Sequence, residues 1–186
     1  MNIGNAINEA NKILKKNNIK SPKLDSEILM SKVIQKDRKF VILNLTKEMN
    51  KNTLCDFKEL INKRSKGKPI AYLIKKKDFW NSEFEINQNV LVPRPDTELI
   101  VEIVLKLTKH KSKLNILDVG VGSGCILLSI LKEKKFFLGI GIDKSKKSLD
   151  LCKINANKLS LSNRVKFFKS DVDNFVYGKY DLIISN

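Results

Sequence analysis

Apolar residues recur with a helical period through the first third of the chain. Ile3, Ala6, Ile7, Ala10, Ile13 and Leu14 fall on one face of a helix. Ser21 and Pro22 read as an N-cap and a first-turn proline. They open a second helix with Leu24, Ile28, Leu29 and Val33 inward. A third apolar cluster spans residues 40–45. A fourth helix carries Leu54, Phe57, Leu60 and Ile61 and stops at Gly67 before Pro69. Short helices bury narrow apolar stripes only against one another, so residues 1–67 are expected to form a small helical domain.

The pattern changes at Lys68. Across residues 70–92, Phe79, Trp80, Phe84, Ile86, Val90 and Leu91 alternate with polar positions, and Asn81-Ser82 supplies a turn. This predicts a β-hairpin or extended connector over residues 68–95. Pro93-Arg94-Pro95 forces extended backbone. Asp96-Thr97-Glu98 can cap the next helix, with Leu99, Ile100, Ile103, Val104 and Leu107 inward. Beyond Lys113, apolar strands (114–119, 136–142, 165–168 and 180–185) alternate with helices (123–132 and 144–159). That order implies an α/β domain with a parallel sheet covered on both faces. Residues 96–186 read as the N-terminal part of this domain. The sequence stops on a strand with a bare apolar edge, and the expectation is a fragment of a longer chain.

Composition narrows the chemistry. With 186 residues, 42% apolar and 30% charged, the chain is globular in character. Thirty-six basic and 20 acidic residues give a net charge of +16. Such a field favours encounters with phosphate-rich surfaces. The excess is spread along the chain, and only Arg38, Arg64, Arg94 and Arg164 are arginine. A lysine surplus of that kind also follows from AT-rich coding, so charge carries little weight. Cys55, Cys125 and Cys152 are isolated, which argues against a disulfide framework or a zinc site. His110 stands alone, so a His-rich metal site is excluded. No apolar run approaches the roughly 20 residues of a membrane span. The N-terminus lacks a signal-peptide block. No metal, no membrane and a cytoplasmic location are expected.

The chemistry concentrates at two strand ends. Asp118-Val119-Gly120-Val121-Gly122-Ser123-Gly124 forms a glycine turn between a strand and a helix. Glycines there admit positive φ and let a ligand approach the backbone; a tight turn alone is the bland reading. Asp143 ends the next strand, where an acidic side chain can take both hydroxyls of a nucleoside ribose; a helix cap is its bland reading. The third glycine comes one residue early for a dinucleotide fingerprint. Asp118 would repel a pyrophosphate but suits a cationic ligand. Spacing and charge therefore favour S-adenosyl-L-methionine over NAD.

Residues 117–124 resemble the cofactor loop of the Rossmann-like class I methyltransferases. Lys68-Pro69-Ile70-Ala71-Tyr72-Leu73, Asp78-Phe79-Trp80, Leu91-Val92-Pro93-Arg94-Pro95-Asp96-Thr97-Glu98 and Asp181-Leu182-Ile183-Ile184-Ser185-Asn186 are similar to successive segments of the bacterial protein-(glutamine-N5) methyltransferases, the PrmC/HemK family. The resemblance implies methyl transfer from S-adenosyl-L-methionine to the glutamine amide in the GGQ motif of class 1 peptide chain release factors. It makes residues 1–67 a substrate-recognition domain. It places Gly120, Val121, Gly122, Ser123 and Gly124, with Asp118, at the cofactor, Asp143 on the ribose, and Asp171 and Val172 by the adenine. Asn186 stands where the family's Asn-Pro-Pro-Tyr motif begins. It becomes the catalytic residue, shared between cofactor and substrate, with Arg94 also on the substrate side. Nucleic acid would be involved only indirectly. The alternatives are a methyltransferase of a ribosomal-protein glutamine or of a nucleic-acid adenine, and an inactive fragment.

Overall fold

A computed structural model describes residues Met1–Asn186 as two compact units, Met1–Ile74 and Lys75–Asn186. No helix is long and apolar enough to cross a membrane.

The first unit is helical: α1 (Ile3–Lys16), α2 (Pro22–Ile34), α3 (Arg38–Leu43), α4 (Lys51–Ser65) and α5 (Ile70–Ile74). Asn2, Asp37 and Asn50 each accept a backbone N–H three residues on, capping α1, α3 and α4. Gly67 takes φ +85° just past α4 and ends it as expected. Ile3, Ile7, Leu14, Leu29, Met30, Val41, Phe57 and Ile61 fill the core. Two details depart from the sequence pattern. Ile70–Ile74 is a short helix rather than extended chain, because Leu73 completes the helical core. In α2 the buried positions are Asp25, Ser26, Glu27, Leu29 and Met30, whereas Leu24 is exposed. The buried carboxylates are paired: Arg64 Nε donates to Asp25 Oδ2, and Arg38 Nε to Glu27 Oε2, each at 2.7 Å.

The second unit begins with an antiparallel hairpin, β1 (Lys76–Phe79) and β2 (Ser82–Glu85). Its two-residue turn is Trp80-Asn81, at φ +43° and +54°, one residue earlier than the sequence suggests. The left-handed Trp80 is anchored twice. Its backbone N–H donates to Glu98 at 3.0 Å and its indole N–H to Glu133 at 3.1 Å. Glu98 is thereby diverted from capping. Residues Pro95–Thr97 form a 3-10 turn, and α6 (Glu98–Leu107) starts without a side-chain cap. Its buried face is Val101 and Val104, while Leu99, Ile103 and Leu107 are exposed, contrary to the periodicity reading.

The remainder alternates β3 (Asn115–Val119), α7 (Cys125–Glu133), β4 (Leu138–Asp143), α8 (Lys146–Lys158), β5 (Val165–Lys169) and β6 (Leu182–Ser185). The four strands make a parallel sheet in the order β5-β4-β3-β6. This is the α/β architecture expected, with α7 almost wholly buried. The parallel register brings the carboxyl ends of β3, β4 and β6 to one side, which is where open α/β sheets hold ligands. β6 lies at the sheet edge with Ile183 exposed.

Candidate functional site

The glycine loop folds back from β3 onto β4. The N–H groups of Gly120 and Val121 both donate to the Ile142 carbonyl at 2.9 Å. Gly120 and Gly122 take φ of +75° and +55°. A Cβ at Gly120 would meet nothing within 4 Å, and one at Gly122 only the Gly120 carbonyl at 3.8 Å. The space above them is open: these glycines leave a bare backbone shelf. Gly124 serves packing instead. A Cβ there would stand 2.5 Å from Cys152 Sγ, so only glycine lets α7 and α8 approach so closely.

Asp143 locks the two strand ends together. Its Oδ2 accepts from Gly122 N–H at 3.1 Å and its Oδ1 from Ser145 N–H at 2.8 Å. It is thus both the helix-approach residue and a partner of the loop. Asp171 stands beyond the neighbouring strand, where Ser170 N–H donates to the Asp143 carbonyl. Its carboxylate faces Lys144 at 3.8 Å and accepts two N–H bonds from Asn174, which hold it below the usual carboxylate range. Val172 beside it is exposed.

A cavity of about 520 Å³ opens at the ends of β3 and β6. That volume lies within the roughly 300–1,000 Å³ of small-molecule sites. Gly120, Val121, Gly122 and Ser123 form one wall, Leu91–Arg94 and Thr97 another, and Asn186 closes the β6 side. Asn186 Nδ2 donates to the Thr97 hydroxyl at 3.2 Å, and Ser185 Oγ donates to the Val119 carbonyl. The expected residues Arg94, Gly120, Val121, Gly122, Ser123 and Asn186 therefore converge. Gly124, Asp118, Asp143, Asp171 and Val172 do not line this cavity.

Residues 5–74 match the PrmC N-terminal domain family, and residues 110–186 match a methyltransferase domain family. The release factor glutamine methyltransferase of Buchnera aphidicola from Acyrthosiphon pisum is 39% identical over 94% of this chain and 62% of its own length. That of Clostridium acetobutylicum is 38% identical over 100% of this chain and 66% of its own length. The chain belongs to the PrmC family of methyltransferases. It spans somewhat less than two thirds of the length of these relatives. A crystal structure of a SAM-dependent methyltransferase from Geobacter sulfurreducens, in complex with S-adenosyl-L-homocysteine, is 24% identical over 47% of this chain and 35% of its own, with a TM-score of 0.42.

Within this PrmC-family chain, three features escape a reading of motifs. Thr97 stands in the sequence only as part of a helix cap and a family-like segment; the fold sets its hydroxyl against Asn186. Asn155 is fully buried on α8 and reaches the loop. A polar residue among Leu151, Cys152 and Ala156 on an otherwise apolar face was the available clue. The third is the state of Asp118. It is buried near the end of β3, and that burial pushes its carboxyl up to about 8, with the Leu127 N–H opposing and Asp143 adding to the rise. At neutral pH it holds a proton in the free protein. Cys125, pushed up to about 11 mainly by burial, is no nucleophile.

Asp118 makes stability pH-dependent. Its folded value exceeds the ordinary carboxylate value, so the folded state binds the proton more tightly. That contribution is fully present below about pH 4 and is lost as pH rises toward 8. Asp118→Asn removes the ionisation. Thermal melts at pH 8 should find the variant more stable than wild type, by on the order of a few kcal/mol, with the gap closing at pH 4–5.

Proposed function

We propose that this chain binds S-adenosyl-L-methionine in the cavity at the ends of β3 and β6 and directs its methyl group to a protein glutamine amide. The substrate is the GGQ glutamine of class 1 peptide chain release factors, in the cytoplasm. The observation that carries this reading is the convergence of the glycine shelf with Asn186 in a chain whose N-terminal residues match the PrmC N-terminal domain. Release factor glutamine methyltransferase is also the name of relatives aligned along nearly the whole chain.

The residues fit the cofactor. The shelf at Gly120 and Gly122 has the room that a side chain would fill. The Asp143 carboxylate lies outside the cavity lining but is bonded to the Gly122 N–H of the loop, so a cofactor extending from the cavity past Gly122 would meet it as an acceptor for ribose hydroxyls. When bound, S-adenosyl-L-methionine supplies a methyl group on a positively charged sulfur, a strong electrophile with a good leaving group.

The protein's task is orientation. A glutamine amide nitrogen is a poor nucleophile because its lone pair is delocalised into the carbonyl. Asn186 offers an acceptor for its N–H. Thr97 engages the Asn186 nitrogen, so the carboxamide oxygen remains as the acceptor of a residue that lines the cavity. An N–H held there fixes the amide nitrogen relative to the methyl group, and catalysis is orientation with electrostatic support. In this reading the helical unit recognises the release factor.

Incubation of the purified chain with a class 1 release factor and methyl-labelled S-adenosyl-L-methionine tests the assignment. Peptide mass spectrometry should place the label on the GGQ glutamine. Label found only on a ribosomal protein or on adenine in nucleic acid would contradict it.

A further inference from the structure

The side chain of Asn155 is fully buried, yet every one of its polar atoms is used. Its Oδ1 accepts from the Glu85 N–H at 2.7 Å, and its Nδ2 donates to the Glu85 carbonyl at 3.1 Å. These two bonds pair the carboxamide with the last residue of β2 as a neighbouring strand would. The second N–H of Nδ2 donates to the Ser123 carbonyl at 2.9 Å, in the glycine loop.

That third bond completes a clamp. The peptide joining Ser123 and Gly124 is held at its N–H end by the Val121 carbonyl at 2.8 Å and at its oxygen by Asn155. Cys152, three residues earlier on α8, occupies the space where a Gly124 side chain would stand. One face of α8 therefore imposes both the glycine and the orientation of its peptide. Ser123, on the near side of that peptide, lines the cavity. Only a carboxamide can serve all three backbone partners. A carboxylate of equal size would set an oxygen against the Ser123 and Glu85 carbonyls, and an apolar side chain would orphan three buried groups.

We propose that Asn155 is a positioning residue for the cofactor. It fixes the Ser123–Gly124 peptide, and with it the loop wall of the cavity, and it couples that wall to the β1–β2 hairpin. The proposal rests on the reading that the cavity takes an adenosyl cofactor.

Calorimetric titration with S-adenosyl-L-homocysteine, paired with thermal melts, tests it on the full chain. The variants are Asn155→Ala, Asn155→Asp and Ser148→Ala. Ser148 is the control: its hydroxyl ties the same helix to the Asn89 carbonyl and does not touch the loop. Both Asn155 variants should bind about tenfold more weakly or worse, the scale on which supporting side chains act. Ser148→Ala should bind within about twofold of wild type even where its melting falls. Hydrogen exchange should show the loop amides of the Asn155 variants opening faster than those of wild type. If the alanine variant fails to fold, the aspartate variant decides, since it keeps the volume and the acceptor for Glu85. Wild-type affinity in a folded Asn155→Asp, or an equal loss in Ser148→Ala, would overturn the proposal. A wild-type chain that ignores S-adenosyl-L-homocysteine would overturn the cofactor reading itself.

Discussion

Asp143→Ala is expected to weaken S-adenosyl-L-homocysteine binding by about 100-fold or more. Hydrogen bonds to a charged group are worth about 1.5–3 kcal/mol each, and each 1.4 kcal/mol is a factor of ten. In the proposed binding mode two ribose hydroxyls lose their acceptor together. The loop also loses its tether, because Gly122 N–H donates to the same carboxylate. Asp143→Asn keeps an acceptor for Ser145 N–H but lacks the charge, so it should fall between alanine and wild type. The fold should largely survive, with a melting loss of a few degrees, because the Gly120 and Val121 bonds to Ile142 remain. Calorimetric titration of the two variants measures this. A change smaller than about fivefold in the alanine variant would remove Asp143 from the ribose site.

Arg64→Ala is expected to unfold the helical unit well before the wild type. Arg64 covers the buried Asp25 carboxylate at 2.7 Å and also donates to the Lys68 carbonyl. Removing one partner of a buried pair leaves an uncompensated charge and typically costs about 3–5 kcal/mol. For a unit of this size that corresponds to a melting drop of roughly 15 °C or more. Replacing both partners, Arg64→Leu with Asp25→Leu, should recover most of the loss, since no orphan charge then remains. Helical circular dichroism against temperature reads both results. A single Arg64→Ala as stable as wild type would show that water reaches Asp25.

The parts of the molecule that a sequence reader finds are those set by short-range backbone chemistry. Positive φ at Gly120, Gly122 and Gly124 is written in the residue type, and Asp143 follows from its place at the end of an apolar strand. Alternation at Phe79 and Phe84 reveals the hairpin, and Gly67 marks the end of α4. What stays hidden depends on partners far along the chain. Asn155 meets Glu85 across 70 positions, and Arg64 meets Asp25 across 39. No local pattern encodes such pairs. The short run Ile70–Ile74 is apolar at almost every position and carries no period, so packing alone makes it helical. In α6 the apolar residues outnumber the buried ones. The face that looked inward by period includes Leu99, Ile100 and Ile103, which line the cavity instead. Asp118 shows the same limit for charge: its position was legible, but the proton it holds follows from burial in the assembled unit.

The most direct test of the account is calorimetric titration of the purified chain with S-adenosyl-L-methionine and, in parallel, with NAD. The account predicts saturable one-to-one binding of S-adenosyl-L-methionine, lost in Asp143→Ala, and no heat from NAD. Uptake of NAD with indifference to S-adenosyl-L-methionine would contradict it.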